Sequence, residues 1–222
     1  MDFLNPNIQL DINDSETIFT KIYDKHIWGK NKGSGKGSSI LYNKKYITFL
    51  EQIIHHPNNN IKKIVDIGCG DWQFSKIINF KDKFYLGIDC VKNIIDTNNT
   101  LYKSDNITFQ HLDIHKLVNL QTIKNADLII IKDVLQHWDD HQIILFLDYL
   151  IENIDFKYIL IINGWKQDTD KTRCINNRYC YSKLNAEIYP LNRYNPEVLF
   201  YYQFKQVSVI KKNNIQLFLK DL

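Results

Sequence analysis

Two glycines and two carboxylates mark the first place in this 222-residue chain where chemistry could be organised. In Val65-Asp66-Ile67-Gly68-Cys69-Gly70-Asp71-Trp72, the glycines stand where an apolar run ends and a helix could begin. Glycine there lets the chain turn tightly and brings backbone close to a ligand. N–H groups at a helix start can then hold an anion. Asp89 closes Tyr85-Leu86-Gly87-Ile88-Asp89 further on, and an acid ~20 residues past such a turn can accept both hydroxyls of a ribose. Gln73 occupies the place of the third glycine of a dinucleotide fingerprint. That argues against NAD and against close packing around a pyrophosphate. The residues suit a ribose-bearing ligand without phosphates.

A second set follows the fourth apolar run, in Asp133-Val134-Leu135-Gln136-His137-Trp138. His137 is the first candidate for taking a proton from an acceptor hydroxyl, because histidine titrates near neutral pH. Asp133 is the second. His137 and His141 have the spacing of two metal ligands on one helix face, but no third ligand and no glutamate after His137 accompany them, so no metal is expected. His55, His56, His111 and His115 read as structural or solvated. Beyond the fifth run, Trp165, Lys166, Arg173 and Arg178 form a basic and aromatic stretch suited to a sugar, a nucleotide sugar or a nucleic acid. Near the start, Trp28 precedes Gly33-Ser34-Gly35-Lys36-Gly37-Ser38-Ser39. This stretch is either a linker or a mobile lid, with Trp28, Ser34 and Ser38 as its contacts.

Such residues need a scaffold, and the hydrophobic pattern supplies one. Apolar runs at 61–67, 84–88, 107–112, 127–132 and 158–163 are nearly continuous, as in strands buried on both faces of a parallel sheet. Helices fit between them at 72–80, 91–103, 115–123 and 139–154, the last with Ile143, Leu147, Leu150 and Ile154 at helical spacing. A further helix is expected at 42–56. Strands alternating with helices predict a doubly wound α/β sheet. The runs 204–211 and 215–220, joined by Lys212-Asn213-Asn214, predict a C-terminal antiparallel hairpin. The chain then divides into a cap or lid with a helix at 1–60 and a core at 61–222.

On these motifs the sequence resembles the class I, Rossmann-like S-adenosylmethionine-dependent methyltransferases. VDIGCGDW is similar to their first motif, GID to their second, Phe109-Gln110-His111-Leu112-Asp113 to the acid after the third strand, and Ala126 through Trp138 to the fourth strand and its loop. GCGDWQFS, KDVLQHW and the early Trp28-Gly29 resemble small uncharacterised bacterial and viral members. The resemblance covers residues 60–165. It implies that Asp66 orients the methionine amine and that Gly68, Cys69, Gly70, Asp71 and Trp72 surround the methionine moiety. It implies that Asp89 holds the ribose, that Cys90 and Leu112 lie beside the adenine, and that Asp113 accepts from the adenine amino group. Ile114, Lys132 and Asp133 complete the implied cofactor set. Many members carry glycine where Trp72 stands, so the indole either packs under the sheet or walls the pocket. The fourth-strand loop also resembles that of plant phenolic O-methyltransferases, whose base lies two before a tryptophan. Here Gln136 holds that place and His137 comes one later.

The resemblance implies an enzyme, most simply an O-methyltransferase of a small molecule or glycan. An RNA (cap) 2′-O-methyltransferase, acting on a ribose 2′-hydroxyl, is the alternative, through a Lys-Asp-Lys-Glu set that Lys44, Asp133, Lys166 and Glu197 would supply. A net charge of +3 lacks the strong basic footprint of a nucleic-acid binder. A non-catalytic binding protein on the same fold is the third reading, opposed by the intact acids. The opening MDFLNPNIQL lacks the basic start and apolar run of a signal peptide, and no apolar stretch of about 18 residues suggests a membrane span. Cys69, Cys90, Cys174 and Cys180 include no CxxC pair and read as reduced thiols of a cytoplasmic protein.

Overall fold

The computed structural model describes residues 15–29, 33–165, 184–212 and 215–219. The five apolar runs are five parallel strands: β1 (Lys63–Ile67), β2 (Phe84–Asp89), β3 (Ile107–His111), β4 (Asn125–Lys132) and β5 (Asp155–Gly164). Every residue of β4 and β5 past the third is buried, as strands covered on both faces require. Two antiparallel strands, β6 (Glu197–Tyr202) and β7 (Lys205–Lys211), complete a seven-stranded sheet of order β3-β2-β1-β4-β5-β7-β6. The fold is thus the mostly parallel, doubly wound sheet with an antiparallel C-terminal pair that the sequence leads one to expect.

Among the described residues four helices accompany it: α1 (Ser15–Asp24), α2 (Ile40–His55), α3 (Lys92–Tyr102) and α4 (Asp140–Asn153). Successive strand residues face opposite ways, so the sheet has two cores. Leu128, Ile130, Leu160 and Ile162 pack in one core with Tyr46, Phe49 and Leu50 of α2. Ile129, Ile131, Ile159 and Ile161 pack in the other with Ile143, Phe146, Leu147 and Leu150 of α4, a stripe at helical spacing. A capping box between Asp139 and Gln142 starts α4 by satisfying orphan N–H groups.

Three expectations need correcting. Residues 72–80 form only a short 3-10 turn at Ser75–Ile77, because Trp72 adopts left-handed backbone (φ 56°) and drives its indole into the core. Residues 115–123 form a 3-10 segment at Leu117–Thr122. Their buried residues, Leu117, Leu120 and Ile123, recur every third position, which is the 3-10 repeat. The hairpin lies one element earlier than the pattern suggests. β6 and β7 turn at Gln203 and Phe204, while described residues 215–219 form no strand. That tail is held by its backbone instead: Tyr158 Oη donates to Gln216 O, and Asn59 exchanges two hydrogen bonds with Phe218.

Outward from β1 run β2 and β3, and outward from β4 run β5 and β7. The order therefore reverses between β1 and β4, and a crevice opens at the carboxyl ends of strands at such a reversal.

Candidate active site

A cavity of about 550 Å³ occupies that crevice, a size that encloses a small ligand. Its floor at one end is the turn after β1. Gly68 and Gly70 have φ of 75° and 55°, which side-chain-bearing residues rarely adopt. A Cβ at Gly68 would stand 2.3 Å from Val134 Cγ2, and one at Gly70 would stand 2.4 Å from Ser34 Oγ. Gly68 N and Cys69 N both donate to Ile88 O, at 2.8 and 3.0 Å, which ties the turn to the end of β2.

Asp89 closes β2 inside the cavity and is fixed at both oxygens. Gly70 N donates to Oδ2 and Val91 N to Oδ1, each at 3.0 Å. Burial raises its carboxyl above the usual range, and these N–H groups oppose the rise. Asp66, at the end of β1, is pushed up to about 6 by burial, although Tyr85 Oη donates to its Oδ2 at 2.6 Å. Cys90, Ile114 and Lys132 line the same cavity. Cys69 and Cys90 are free thiols, and burial pushes both above the ordinary thiol range.

Asp133 lies beyond β4 in left-handed backbone (φ 61°). Its Oδ2 accepts from Lys132 at 2.7 Å and its Oδ1 accepts from Lys205. Burial alone would raise its pKa, but the two ammonium groups outweigh it and hold the carboxyl well below the usual range. A carboxylate so stabilised is a weaker proton acceptor than a free one. His137 lines the cavity from a 3-10 turn at Leu135–His137. Its ring stacks on Trp28 (centroids 6.3 Å apart, 29° between planes) and meets the edge of Phe19 at 5.8 Å. Gln136 is buried, and its Oε1 accepts from Gly164 N at 2.9 Å, so it pins this turn to the end of β5.

Trp28, Ser34 and Ser38 all line the cavity. Ser34 clasps the glycine turn: its N donates to Asp71 Oδ2, its Oγ accepts from Asp71 N, both at 3.1 Å, and Tyr23 Oη stands 2.7 Å from its Oγ.

Several implied cofactor contacts fall outside the lining. Asp71 is the partner of Ser34 and Gln73. Trp72 is 4% exposed in the core beneath the sheet, with Nε1 donating to Tyr85 Oη at 2.8 Å. Leu112 packs against the other core. Asp113 accepts from His115 N at 3.1 Å and pairs with Lys116, so it closes the turn after β3 rather than facing the cavity. Burial would raise its pKa, but the His115 bonds and the charge of Lys116 hold it below the usual range.

His115, read from sequence as structural or solvated, is buried and lines the cavity, with Ser15 Oγ 2.7 Å from Nδ1. Lys205, Tyr42 and Phe204 also line it, and nothing in the sequence pattern singles them out. Trp165 packs on Tyr201, with centroids 4.8 Å apart, and its backbone N–H donates to the carbonyl of Phe204, a lining residue. Lys166, Arg173, Arg178, Cys174 and Cys180 lie outside the described residues. Lys44 is exposed on α2, and Glu197 pairs with Lys211 at the far end of β6, so neither joins Asp133 at the cavity. Among the described residues no group of three His, Cys, Asp or Glu could hold a metal ion. No described helix is long and apolar enough to cross a membrane.

A family model described as "Methyltransferase domain" matches residues 58–213. No curated protein matches the chain. Among solved structures, N-methyltransferase NodS from Bradyrhizobium japonicum WM9, in complex with S-adenosyl-L-homocysteine, is 12% identical with a TM-score of 0.62, over 91% of this chain and 100% of that one. Magnesium protoporphyrin IX methyltransferase from Synechocystis PCC 6803, with bound SAM, is 14% identical with a TM-score of 0.59, over 90% and 97%. The methyltransferase domain of bacterial CtHen1 is 14% identical with a TM-score of 0.55, over 77% and 99%. At these identities the likeness is one of fold.

Proposed function

This chain belongs to the methyltransferase domain family, and from that premise we propose that it methylates an acceptor oxygen of a small molecule or sugar, with S-adenosylmethionine as methyl donor. The observation that carries the reading is Asp89, clamped by two backbone N–H groups at the end of β2 with its carboxylate inside the cavity. An acid so fixed is pre-organised for a ribose diol. The cavity fits the rest of the cofactor as well. Gly68 and Gly70 keep side chains out of the turn, Asp66 offers a carboxyl toward an amine, and Cys90 and Ile114 give a mainly apolar wall for a flat base. When bound, the cofactor supplies an electrophilic methyl on a sulfonium. The chain's own residues then hold the acceptor in line, exclude water and take its proton. We assign the last task to His137, whose ring lines the cavity.

Calorimetry tests the reading. S-adenosylmethionine and S-adenosylhomocysteine are expected to bind and NAD is not. Asp89→Ala is expected to weaken cofactor binding by about 1–3 kcal/mol, the scale of lost charge-assisted hydrogen bonds. Because the carboxylate also holds Gly70 N and Val91 N, Asp89→Asn is the gentler companion. Tighter binding of NAD, or an unchanged affinity in both folded variants, sinks the assignment.

Residues 1–60 act in this reading as a cap on the core at 61–222. The clasp of Ser34 on Asp71, together with Trp28 over His137, supports a segment that closes on the bound cofactor. Amide hydrogen exchange across 33–39 is expected to slow when S-adenosylhomocysteine binds. Equal protection with and without it would reduce the segment to a linker.

A further inference from the structure

Lys205 opens β7, is 6% exposed, and lines the cavity. An ammonium carries three N–H donors. One of them is given to Asp133 Oδ1, and among the described residues the other two have no partner. Lys132 is different. It donates to Asp133 Oδ2 at 2.7 Å and to Gly37 O at 3.2 Å, and it stands 5.2 Å over the ring of Phe74. Two ammonium groups therefore share Asp133, Asp66 also acts on Lys132, and the unmet donors sit on Lys205. Burial pulls its pKa down to about 8 against the pull of Asp133, which leaves it charged at neutral pH. A buried charge with open donors is costly unless a ligand completes it.

The surroundings leave room for that ligand. Gly37 faces the pair without a side chain: a Cβ there would stand 3.7 Å from Lys205 Nζ and 3.9 Å from Asp133 Oδ2. In the sheet, β7 stands three strands from β1. The ammonium of Lys205 nevertheless meets Asp133, which follows β4, the strand beside β1. The other cavity carboxylates, Asp66 and Asp89, lie back at β1 and β2. Lys205 thus presents two open donors, and Lys36, exposed beside Gly37, is a further cation on the cavity wall. A carboxylate suits Lys205, since its two oxygens can accept both N–H bonds.

We infer that Lys205 is a carboxylate anchor in the wall of the cavity, gripping the carboxylate of the bound cofactor's amino-acid tail or that of the acceptor. The inference rests on the methyltransferase reading, and its test separates the two sources. Calorimetry compares S-adenosylhomocysteine with its decarboxylated analogue, in the wild type and in Lys205→Met. A second pair, benzoate and benzamide, is titrated into each protein saturated with S-adenosylhomocysteine. In one pair the wild type is expected to favour the carboxylate by about tenfold or more, the scale of a charge-assisted hydrogen bond. That preference should vanish in Lys205→Met and persist in Lys205→Arg. Response of the first pair assigns the anchor to the cofactor, and response of the second assigns it to the acceptor.

The inference is overturned if the wild type prefers a carboxylate in neither pair, or if the preference survives in folded Lys205→Met. It is also overturned if phenyl phosphate binds more tightly than benzoate. The wild-type comparisons need no variant, so a Lys205→Met chain that fails to fold does not shelter the idea. Absence of any S-adenosylhomocysteine binding would instead count against the cofactor itself, and the benzoate pair is then read on the unloaded protein.

Discussion

His137→Ala is expected to lower turnover by about 10²–10⁴, the usual contribution of a general base, while cofactor affinity stays nearly intact. The expectation is positional. His137 follows β4, at the strand reversal where the cavity opens, and its ring lines that cavity. The place one residue earlier is taken by Gln136, whose amide oxygen accepts from Gly164 N. Gln136 lines the cavity too, but its amide oxygen is committed to Gly164 N, which leaves the imidazole of His137 for the acceptor. Trp28 and Phe19 pack on the imidazole and fix its plane. Asp133→Asn is the paired test. Its carboxylate is held by two lysines, so its replacement should slow turnover less than loss of His137 does. A larger effect at Asp133 would move the base there. An unchanged rate in both variants would mean an acceptor that needs no protein base, an amine or an already acidic hydroxyl. Loss of cofactor binding in both would make the loop a cofactor wall.

The parallel strands were legible because burial on both faces writes a continuous apolar run, and each of the five runs became a strand. The glycine turn and Asp89 were legible because backbone geometry there constrains residue type. β6 was not. Glu197-Val198-Leu199-Phe200-Tyr201-Tyr202 carries no alternation, and its turn at Gln203-Phe204 lacks the Asn-Gly or Asp-Gly signal of a hairpin. Lys205 was hidden for the same reason. Its role comes from β7 lying beside β5, a pairing between residues far apart in the chain. Asp113 could not be resolved from sequence because an acid after a strand can serve a ligand or its own turn, and its side chain here bonds His115 and pairs with Lys116. Trp72 was open for a related reason: the sequence showed an indole in a glycine's place but not which way it turned.

That indole carries the second large effect. Trp72→Ala is expected to destabilise the fold by about 3–5 kcal/mol, the cost of emptying a buried tryptophan site. Trp72 packs against Phe80, Tyr102 and Phe109, with centroids 6.0, 5.0 and 5.2 Å away. Its Nε1 donates to Tyr85 Oη, which in turn donates to Asp66 in the cavity. Truncation therefore also leaves Tyr85 without its donor and loosens the hydrogen bond that orients Asp66. The backbone makes a sharper forecast. At φ 56° any side chain is strained, by about 1–2 kcal/mol relative to glycine. Trp72→Gly should thus be more stable than Trp72→Ala by about 1 kcal/mol, the reverse of the order at an ordinary site. Urea denaturation of the two variants measures the difference directly. Were the alanine variant the more stable, the left-handed backbone at 72 would not be what the native turn requires, and the burial of the indole alone would have to account for its place.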